Sequence, residues 1–208
     1  EIESGRVIAE DFGGVRRIYP KSIYLHECRV VRNVKRILEA ESSYGSINSE
    51  KAVEWWEAKT GFNLAQSQRR ALVTSLQSKF SIITGGPGVG KTTIIKALVD
   101  IFTAKKLSVI LAAPTGRAAK RMTESVGMEA KTIHRLLKWN PGKGTFTYNE
   151  EEPCEADVFI FDETSMIDIH LAADTLDAIP SGATVVWVGD TDQLPSVGAG
   201  NVFRELMK

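Results

Sequence analysis

This sequence lacks a cysteine framework, long hydrophobic runs and any excess of charge. Its two cysteines, Cys28 and Cys154, have no CxxC or histidine-ligand spacing, which argues against a zinc site or a disulfide scaffold. We expect both to be small core residues of a cytoplasmic protein. No apolar run approaches the roughly 20 residues of a membrane span, and no signal peptide is visible, so we expect no membrane partner. Because 26 basic residues balance 26 acidic ones, any nucleic-acid surface must be local.

A glycine-rich loop is the most informative feature present. The octet Gly85-Gly86-Pro87-Gly88-Val89-Gly90-Lys91-Thr92 lies between an apolar run and a helical pattern. Such glycines let successive N–H groups turn inward around phosphates. Lys91 can then reach the β and γ oxygens, and the Thr92 hydroxyl can coordinate Mg²⁺. The loop therefore predicts binding of a nucleoside triphosphate.

The hydrophobic pattern predicts an α/β fold. Near-continuous apolar strands alternate with helices, which is typical of a mostly parallel sheet covered by helices on both faces. We interpret residues 1–60 as a mainly helical N-terminal element, with a short hairpin or extended segment over 6–20 and a second helix capped by Ser49. Residues 61–208 form the nucleotide-binding domain. Its predicted strands lie over 80–84, 107–113, 159–161 and 184–188, and its predicted helices include 91–104, 116–125, 132–138 and 169–178.

Two further motifs are predicted to follow core strands. Asp162 and Glu163 come directly after the apolar run 158–161. Beside a phosphate loop, Asp162 is a candidate metal ligand and Glu163 a candidate base for the attacking water, although a solvated acidic pair is the alternative. Gln193, in the segment 189–198, can hydrogen-bond a γ-phosphate and sense its loss; an ordinary turn is the alternative.

Candidate nucleic-acid contacts occur in two short segments. Pro114, Thr115, Gly116 and Arg117 close one strand and open a helix, so they can present hydroxyl and N–H groups to phosphates. Helix capping is the competing interpretation. Thr132 and His134 lie shortly after, and a structural role for His134 is equally open. For the aromatic residues around the turn 141–144, we favour a small hairpin with local packing over base stacking.

Five motifs in this order resemble the first RecA-like motor domain of the RecD-type superfamily 1 DNA helicases, the group that includes the exodeoxyribonuclease V alpha subunit. The resemblance covers about residues 63–208. It rests on the segments Ile83–Thr93, Ala113–Ala119, Thr132–Leu137, Asp162–Met166 and Gly189–Gly198.

The resemblance implies a RecA-like P-loop NTPase that uses ATP and Mg²⁺ and moves 5′ to 3′ on single-stranded DNA. It implies that Gln68 reads adenine, with nearby Gln66 as the competing choice. It also assigns roles to the motif residues. The catalytic residues would be Glu163, Lys91 and Gln193; the nucleotide-binding residues Gln68, Gly86, Pro87, Gly88, Val89, Gly90, Lys91, Thr92, Thr93, Asp162 and Gln193; the Mg²⁺ ligands Thr92 and Asp162; and the DNA-facing residues Pro114, Thr115, Gly116, Arg117, Thr132 and His134.

The resemblance further implies partners. A second RecA-like domain of the same polypeptide would supply arginines to the γ-phosphate, and these 208 residues do not contain it. We therefore expect a piece of a longer protein that binds ATP and, alone, hydrolyses it weakly or not at all. RecBC-type nuclease subunits are further candidate partners. Two alternatives stay open: the helicase part of a conjugative relaxase, and a regulatory module that senses nucleotide.

Overall fold

The computed structural model describes residues 6–208. The strands are β1 (Val7–Phe12), β2 (Val15–Pro20), β3 (Phe80–Thr84), β4 (Val109–Ala113), β5 (Ala130–Thr132), β6 (Trp139–Asn140), β7 (Thr145–Phe146), β8 (Val158–Phe161) and β9 (Thr184–Gly189). The helices are α1 (Lys21–Glu39), α2 (Ser49–Thr60), α3 (Gln66–Gln77), α4 (Lys91–Ala104), α5 (Gly116–Val126), α6 (Ile133–Leu136), α7 (Ile169–Asp177) and α8 (Val202–Glu205), with a 3₁₀ turn over Thr164–Met166.

A five-stranded parallel sheet forms the centre of the molecule. Its strand order is β3-β9-β8-β4-β5, so one strand separates β3 from β8. Every residue of β8 and β9 is buried, as expected for parallel strands covered on both faces. The sheet and its flanking helices confirm the predicted RecA-like α/β fold.

Alternate residues of the central strands pack into two separate hydrophobic cores, one on each face of the sheet. Phe159, Phe161 and Trp187 pack on the side that carries α1 and α7. Ile160 and Val188 pack on the opposite side, against α2, α3 and α4. This division follows from the two-residue repeat of a strand, which points successive side chains to opposite faces.

The N-terminal segment packs against both sides of this sheet. Strands β1 and β2 form an antiparallel hairpin around two glycines with positive φ, which confirms the hairpin option for residues 6–20 within the described part of the chain. Helix α1 buries Ile37 in the same core as Trp187, and α2 buries Trp56 in the other core. The division of the chain at residue 60 stays a prediction.

Three local predictions differ from the structure. The cap of α2 is Asn48, whose side chain accepts from the Lys51 N–H, and Ser49 is already helical. The predicted helix 132–138 is shorter, because Ala130–Thr132 instead adds an edge strand to β4. Cys28 is exposed, since it lies on the side of α1 away from the core that α1 joins, so its prediction as a core residue was wrong.

Other local predictions are confirmed. Cys154 is buried, and burial raises the pKa of its thiol to about 11. The turn 141–144 joins β6 to β7, where Trp139 pairs with Phe146 and their ring centroids lie 4.8 Å apart. Among residues 6–208, no helix combines the length and the apolar character needed to cross a bilayer.

Candidate active site

The motif residues meet at one edge of the sheet. Because all five central strands are parallel, the segments that follow their carboxyl ends lie along the same edge. These segments are the phosphate loop after β3, the loop after β9, Asp162-Glu163 after β8, Pro114–Arg117 after β4 and Ile133–His134 after β5.

The phosphate loop has the backbone conformation that its glycines permit. Gly88 and Gly90 have φ values of 76° and 87°, in the left-handed region where a side chain is disfavoured. Helix α4 starts at Lys91 and directs its N-terminus at this loop, which favours an anion there. The Lys91 ammonium donates to the carbonyls of Gly85 and Gly86, the latter at 3.0 Å. A positive charge therefore lies at the loop without a salt-bridge partner among the described residues.

Gln68 is the glutamine that contacts the phosphate loop. Its amide nitrogen donates to the Val89 carbonyl at 3.0 Å, and its amide oxygen accepts from the Ala65 N–H at 3.0 Å. A Cβ on Gly90 would come within 2.2 Å of the same amide nitrogen, so the glycine makes this approach possible. Of the two glutamines considered from the sequence, Gln68 is therefore the one joined to the loop.

The two acids differ in environment. Burial raises the pKa of Asp162, while the hydrogen bond from the Glu163 N–H at 2.9 Å and the nearby charge of Lys91 oppose that rise. Glu163 has a φ of 53°, a costly conformation for a residue with a side chain. Its Oε2 atom is buried and has no hydrogen-bond partner in the described part of the chain. Strain and an unsatisfied buried oxygen at one residue are typical of functional sites.

Thr92, Asp162 and Glu163 line one cavity of about 400 Å³. A hydroxyl and a carboxylate are suitable ligands for Mg²⁺, which usually takes one or two protein oxygens and completes its shell with phosphate and water. Within residues 6–208, no group of three or more His, Cys, Asp or Glu side chains could hold a metal by itself. The donor set therefore fits a Mg²⁺ ion that arrives with a phosphorylated substrate.

Gln193 lies in a loop next to the phosphate loop, but within residues 6–208 its side chain makes no hydrogen bond to that loop. Thr84 at the end of β3 is paired with Gly189 at the end of β9, which brings the two following loops together. Gln193 is exposed, and within residues 6–208 its side chain makes no hydrogen bond; its N–H donates to the Asp190 carbonyl at 3.4 Å. The far end of the loop is fixed by a 2.9 Å bond from the Ile169 N–H to the Ala199 carbonyl.

The two candidate nucleic-acid segments lie side by side. Ala113 of β4 is paired with Thr132 of β5, so Pro114 and Ile133 both follow at the sheet edge. The hydroxyls of Thr115 and Thr132 accept from the N–H groups of Ala118 and Arg135, both at 3.2 Å, and thus cap α5 and α6. Capping, the competing interpretation, is therefore observed, and it leaves each hydroxyl hydrogen free for another partner.

The exposed residues of these segments are Gly116, Arg117 and His134. The His134 ring lies 5.6 Å from Phe146 and 6.4 Å from Trp139, so it forms one aromatic cluster with the β6–β7 hairpin. Sequence reasoning did not identify this cluster. Arg121 belongs to a group of basic residues near these motifs in the sequence, but the sequence did not predict that it lines the cavity of Glu163, four residues or about one helical turn after Arg117.

This chain is similar in sequence to several known proteins. The model of the AAA domain family matches residues 68–199. An ATP-dependent RecD2 DNA helicase from Deinococcus radiodurans is 39% identical over 187 residues, which are 90% of this chain and 26% of that protein. A RecBCD enzyme subunit RecD from Haemophilus influenzae is 35% identical over 211 residues, covering 86% of this chain and 32% of that one. The chain thus spans about a quarter to a third of the length of these relatives.

A solved structure shows the same similarity. The crystal structure of the Pif1 helicase from Candida albicans aligns with a TM-score of 0.50 at 27% identity, over 65% of this chain and 34% of that one. The family model covers residues 68–199, which is over half of the chain and includes all five strands of the sheet and the loops described above. This chain therefore belongs to the AAA domain family and is a motor domain of the RecD-like superfamily 1 helicases.

Proposed function

We propose that this chain is the ATP-binding half of a DNA helicase motor, whose full-length protein couples ATP hydrolysis to 5′-to-3′ movement on single-stranded DNA. The observation that carries this proposal is the convergence of Thr92, Asp162 and Glu163 on one cavity, beside the Lys91 ammonium whose charge acts on Asp162. A cation, two acids and a helix N-terminus at one place are the parts that phosphoryl transfer requires.

The phosphate loop would hold the triphosphate. Its N–H groups and the N-terminus of α4 face the phosphates, and the Lys91 ammonium exchanges its bonds to loop carbonyls for bonds to the β and γ oxygens. Gln68 already contacts the loop and would exchange its bond to Val89 for one to the adenine base. The remaining loop residues 86–90 and Thr93 complete the predicted nucleotide site.

Thr92 and Asp162 would hold Mg²⁺, which neutralises charge on the β and γ oxygens when it is bound. Glu163 would accept the proton of the water that attacks the γ-phosphorus, as the bond to the β–γ bridging oxygen breaks. Within residues 6–208 its carboxylate accepts no hydrogen bond, so one of its two oxygens is available for this role. Gln193 would contact the γ-phosphate and register its loss.

Single-stranded DNA would cross the edge of the sheet at β4 and β5. Exposed Gly116, Arg117 and His134 would contact it, together with Pro114, Thr115 and Thr132. The second RecA-like domain would bring arginines to the γ-phosphate. An arginine of this kind is worth about 10³ to 10⁵ in rate, so the isolated chain should hydrolyse ATP very slowly. Nuclease subunits of the RecBC type are proposed as partners, by similarity to the Haemophilus relative.

The test is Glu163→Gln in the full-length protein. The phosphate loop is unchanged, so we expect the Kd for ATP to stay within about twofold while kcat falls by roughly 10³-fold or more. Calorimetry with Mg²⁺ and ATP measures binding, and phosphate release measures turnover.

Lys91→Ala is the contrasting variant. Loss of a charged hydrogen bond to phosphate should weaken ATP binding by roughly 10- to 100-fold. Wild-type turnover in Glu163→Gln would remove Glu163 from the base role, and absence of any binding heat in the wild-type protein would overturn the proposed function itself.

A further inference from the structure

The cavity beside Glu163 has a second wall that the chemistry above does not use. One wall consists of Thr92, Asp162 and Glu163, and the other belongs to α5. The α5 residues recur at three- and four-residue spacings, so they form one face of the helix. They are Ala118, Arg121, Met122, Glu124 and Ser125.

Arg121 is the basic residue in this lining, and its guanidinium forms no ion pair with the described residues. Its backbone carbonyl accepts from the Ser125 hydroxyl at 2.8 Å, but within residues 6–208 its guanidinium makes no hydrogen bond or ion pair. In the same lining, Oε2 of Glu163 is buried and has no partner among residues 6–208. A buried carboxylate oxygen is costly unless it is paired, and a guanidinium is well suited to pair with it. Among residues 6–208, the lining of this cavity thus includes an exposed cation and a buried carboxylate oxygen, neither of which has a hydrogen-bond partner.

Helix α5 connects this cavity to the proposed DNA surface. The helix starts at Gly116, and Arg117 lies exposed in its first turn. Arg121 follows four residues later, on the same side of the helix. The second half of α5 is tied to β5, because the Thr123 hydroxyl accepts from the Ala130 N–H at 2.9 Å. The first turn and Arg121 therefore belong to one regular helix of 11 residues.

We propose that Arg121 is a positioning residue that couples DNA binding at the start of α5 to the Glu163 carboxylate. When DNA engages Gly116 and Arg117, the guanidinium pairs with Oε2 of Glu163 and leaves the other carboxylate oxygen facing the attacking water. This inference rests on the proposed function, since it assumes that Glu163 acts as the base and that α5 contacts DNA. In this proposal, helix α5 links the bound DNA to the bound ATP.

The experiment compares ATP turnover by the full-length protein with and without an oligothymidine strand. We expect Arg121→Ala to lower the DNA-stimulated kcat by at least about tenfold, while the KM for ATP and the Kd for DNA stay within about twofold. Arg121→Lys should restore part of the loss, because it keeps the charge. Lys120→Ala is the matched control: Lys120 is the neighbouring residue of α5, its side chain is 80% exposed, and it pairs with Glu124 at 3.9 Å. It should leave kcat unchanged.

A second measurement separates positioning from a general effect on folding. Arg121→Ala combined with Glu163→Asp should change kcat by less than the product of the two single effects, because residues that act through each other are not additive. The inference would be overturned if the two substitutions had multiplicative effects on kcat. It would also be overturned if Arg121→Ala kept full DNA stimulation, or if its KM for ATP rose by as large a factor as its kcat fell. If the wild-type protein itself shows no DNA-stimulated turnover, the proposed function fails and this inference fails with it.

Discussion

At the scale of single residues, Asp162 shows how a binding site costs stability. Burial raises the pKa of its carboxyl, which means that the folded protein disfavours the charged form. Such a group contributes stability when it is protonated, and that contribution is lost as the pH rises through its folded pKa. A bound cation would offset the cost, so the same burial that destabilises the free protein strengthens metal binding.

We therefore expect Asp162→Asn to raise the free energy of unfolding of the nucleotide-free protein near neutral pH. The difference in free energy of unfolding between the variant and the wild type should shrink as the pH falls from about 7 towards about 4, because the wild-type carboxyl becomes protonated. Urea unfolding across this range measures the difference. Mg²⁺-dependent ATP binding should weaken in the same variant.

Asp157→Asn is the matched control with the opposite sign. Hydrogen bonds from the N–H and hydroxyl of Ser108, at 2.9 and 2.7 Å, lower the pKa of Asp157. This variant should be less stable than the wild type at neutral pH, with a difference that shrinks as the pH falls and Asp157 itself is protonated. If both variants shift stability in the same direction, the account of Asp162 is wrong.

At the residue scale, the sequence predicts a role where spacing along the chain carries the chemistry, and these roles stay predictions. Lys91 and Thr92 follow from the glycine pattern, and Asp162 follows from its place after an apolar run. The position of Arg121 beside Glu163 was not predictable, because the cavity that they share is formed by segments about 40 positions apart in the sequence. The exposure of Cys28 was also missed, since composition does not say which face of α1 meets the core.

At the scale of elements, the contact between α1 and α7 combines apolar packing with a group of polar contacts. Arg29 donates to Asp174 at 2.8 Å and also to Asp177, whose side chain is only 9% exposed. The Asn33 amide also donates to Asp177, and Arg36 donates to the carbonyls of Leu176 and Ile179 at 3.0 and 2.8 Å. These bonds fix α1 on the motor domain and satisfy carbonyls at the end of α7.

Arg29→Met should therefore lower the free energy of unfolding by roughly 1–3 kcal/mol, because it leaves the nearly buried Asp177 with fewer donors. Lys120→Met is the control, since its pair with Glu124 is exposed and should be worth less than about 1 kcal/mol. Denaturant unfolding of both variants gives the comparison. Equal effects would show that the α1–α7 pair contributes no more than a surface pair.

Element boundaries were predictable where the pattern is long and regular. Helices α4 and α7 and strands β3 and β9 agree with prediction to within a residue or so. Strand β5 is three residues long and has no periodicity to detect, so it became visible only through its pairing with β4. The polar contact between α1 and α7 joins residues more than 140 positions apart, and no local pattern predicts it.

At the scale of the whole molecule, the parallel sheet brings two proposed ligands to one edge. The phosphate loop follows β3 and the proposed DNA segments follow β4 and β5, with β9 and β8 between them. Helix α5 lies along the Glu163 cavity and starts at the DNA side. ATP and DNA would therefore both contact loops and helices that pack on the same central sheet.

We expect single-stranded DNA to change the affinity of the full-length protein for ATP, and ATP to change the affinity for DNA by the same factor, since linkage is reciprocal. Glu163→Gln allows the measurement with ATP itself, because turnover is suppressed. Titrations of each ligand at saturating concentrations of the other give the two factors. An ATP affinity that does not respond to DNA would instead support a nucleotide-sensing module that does not move on DNA.

The sequence by itself determined the phosphate loop, the acid pair and the alternation of strands and helices, because each depends on residues close together along the chain. The tertiary structure alone decided the strand order, the contact of Gln68 with the loop, the unpaired oxygen of Glu163 and its cavity shared with Arg121. These features arise from contacts between distant segments, where packing and burial, rather than local spacing, select the arrangement.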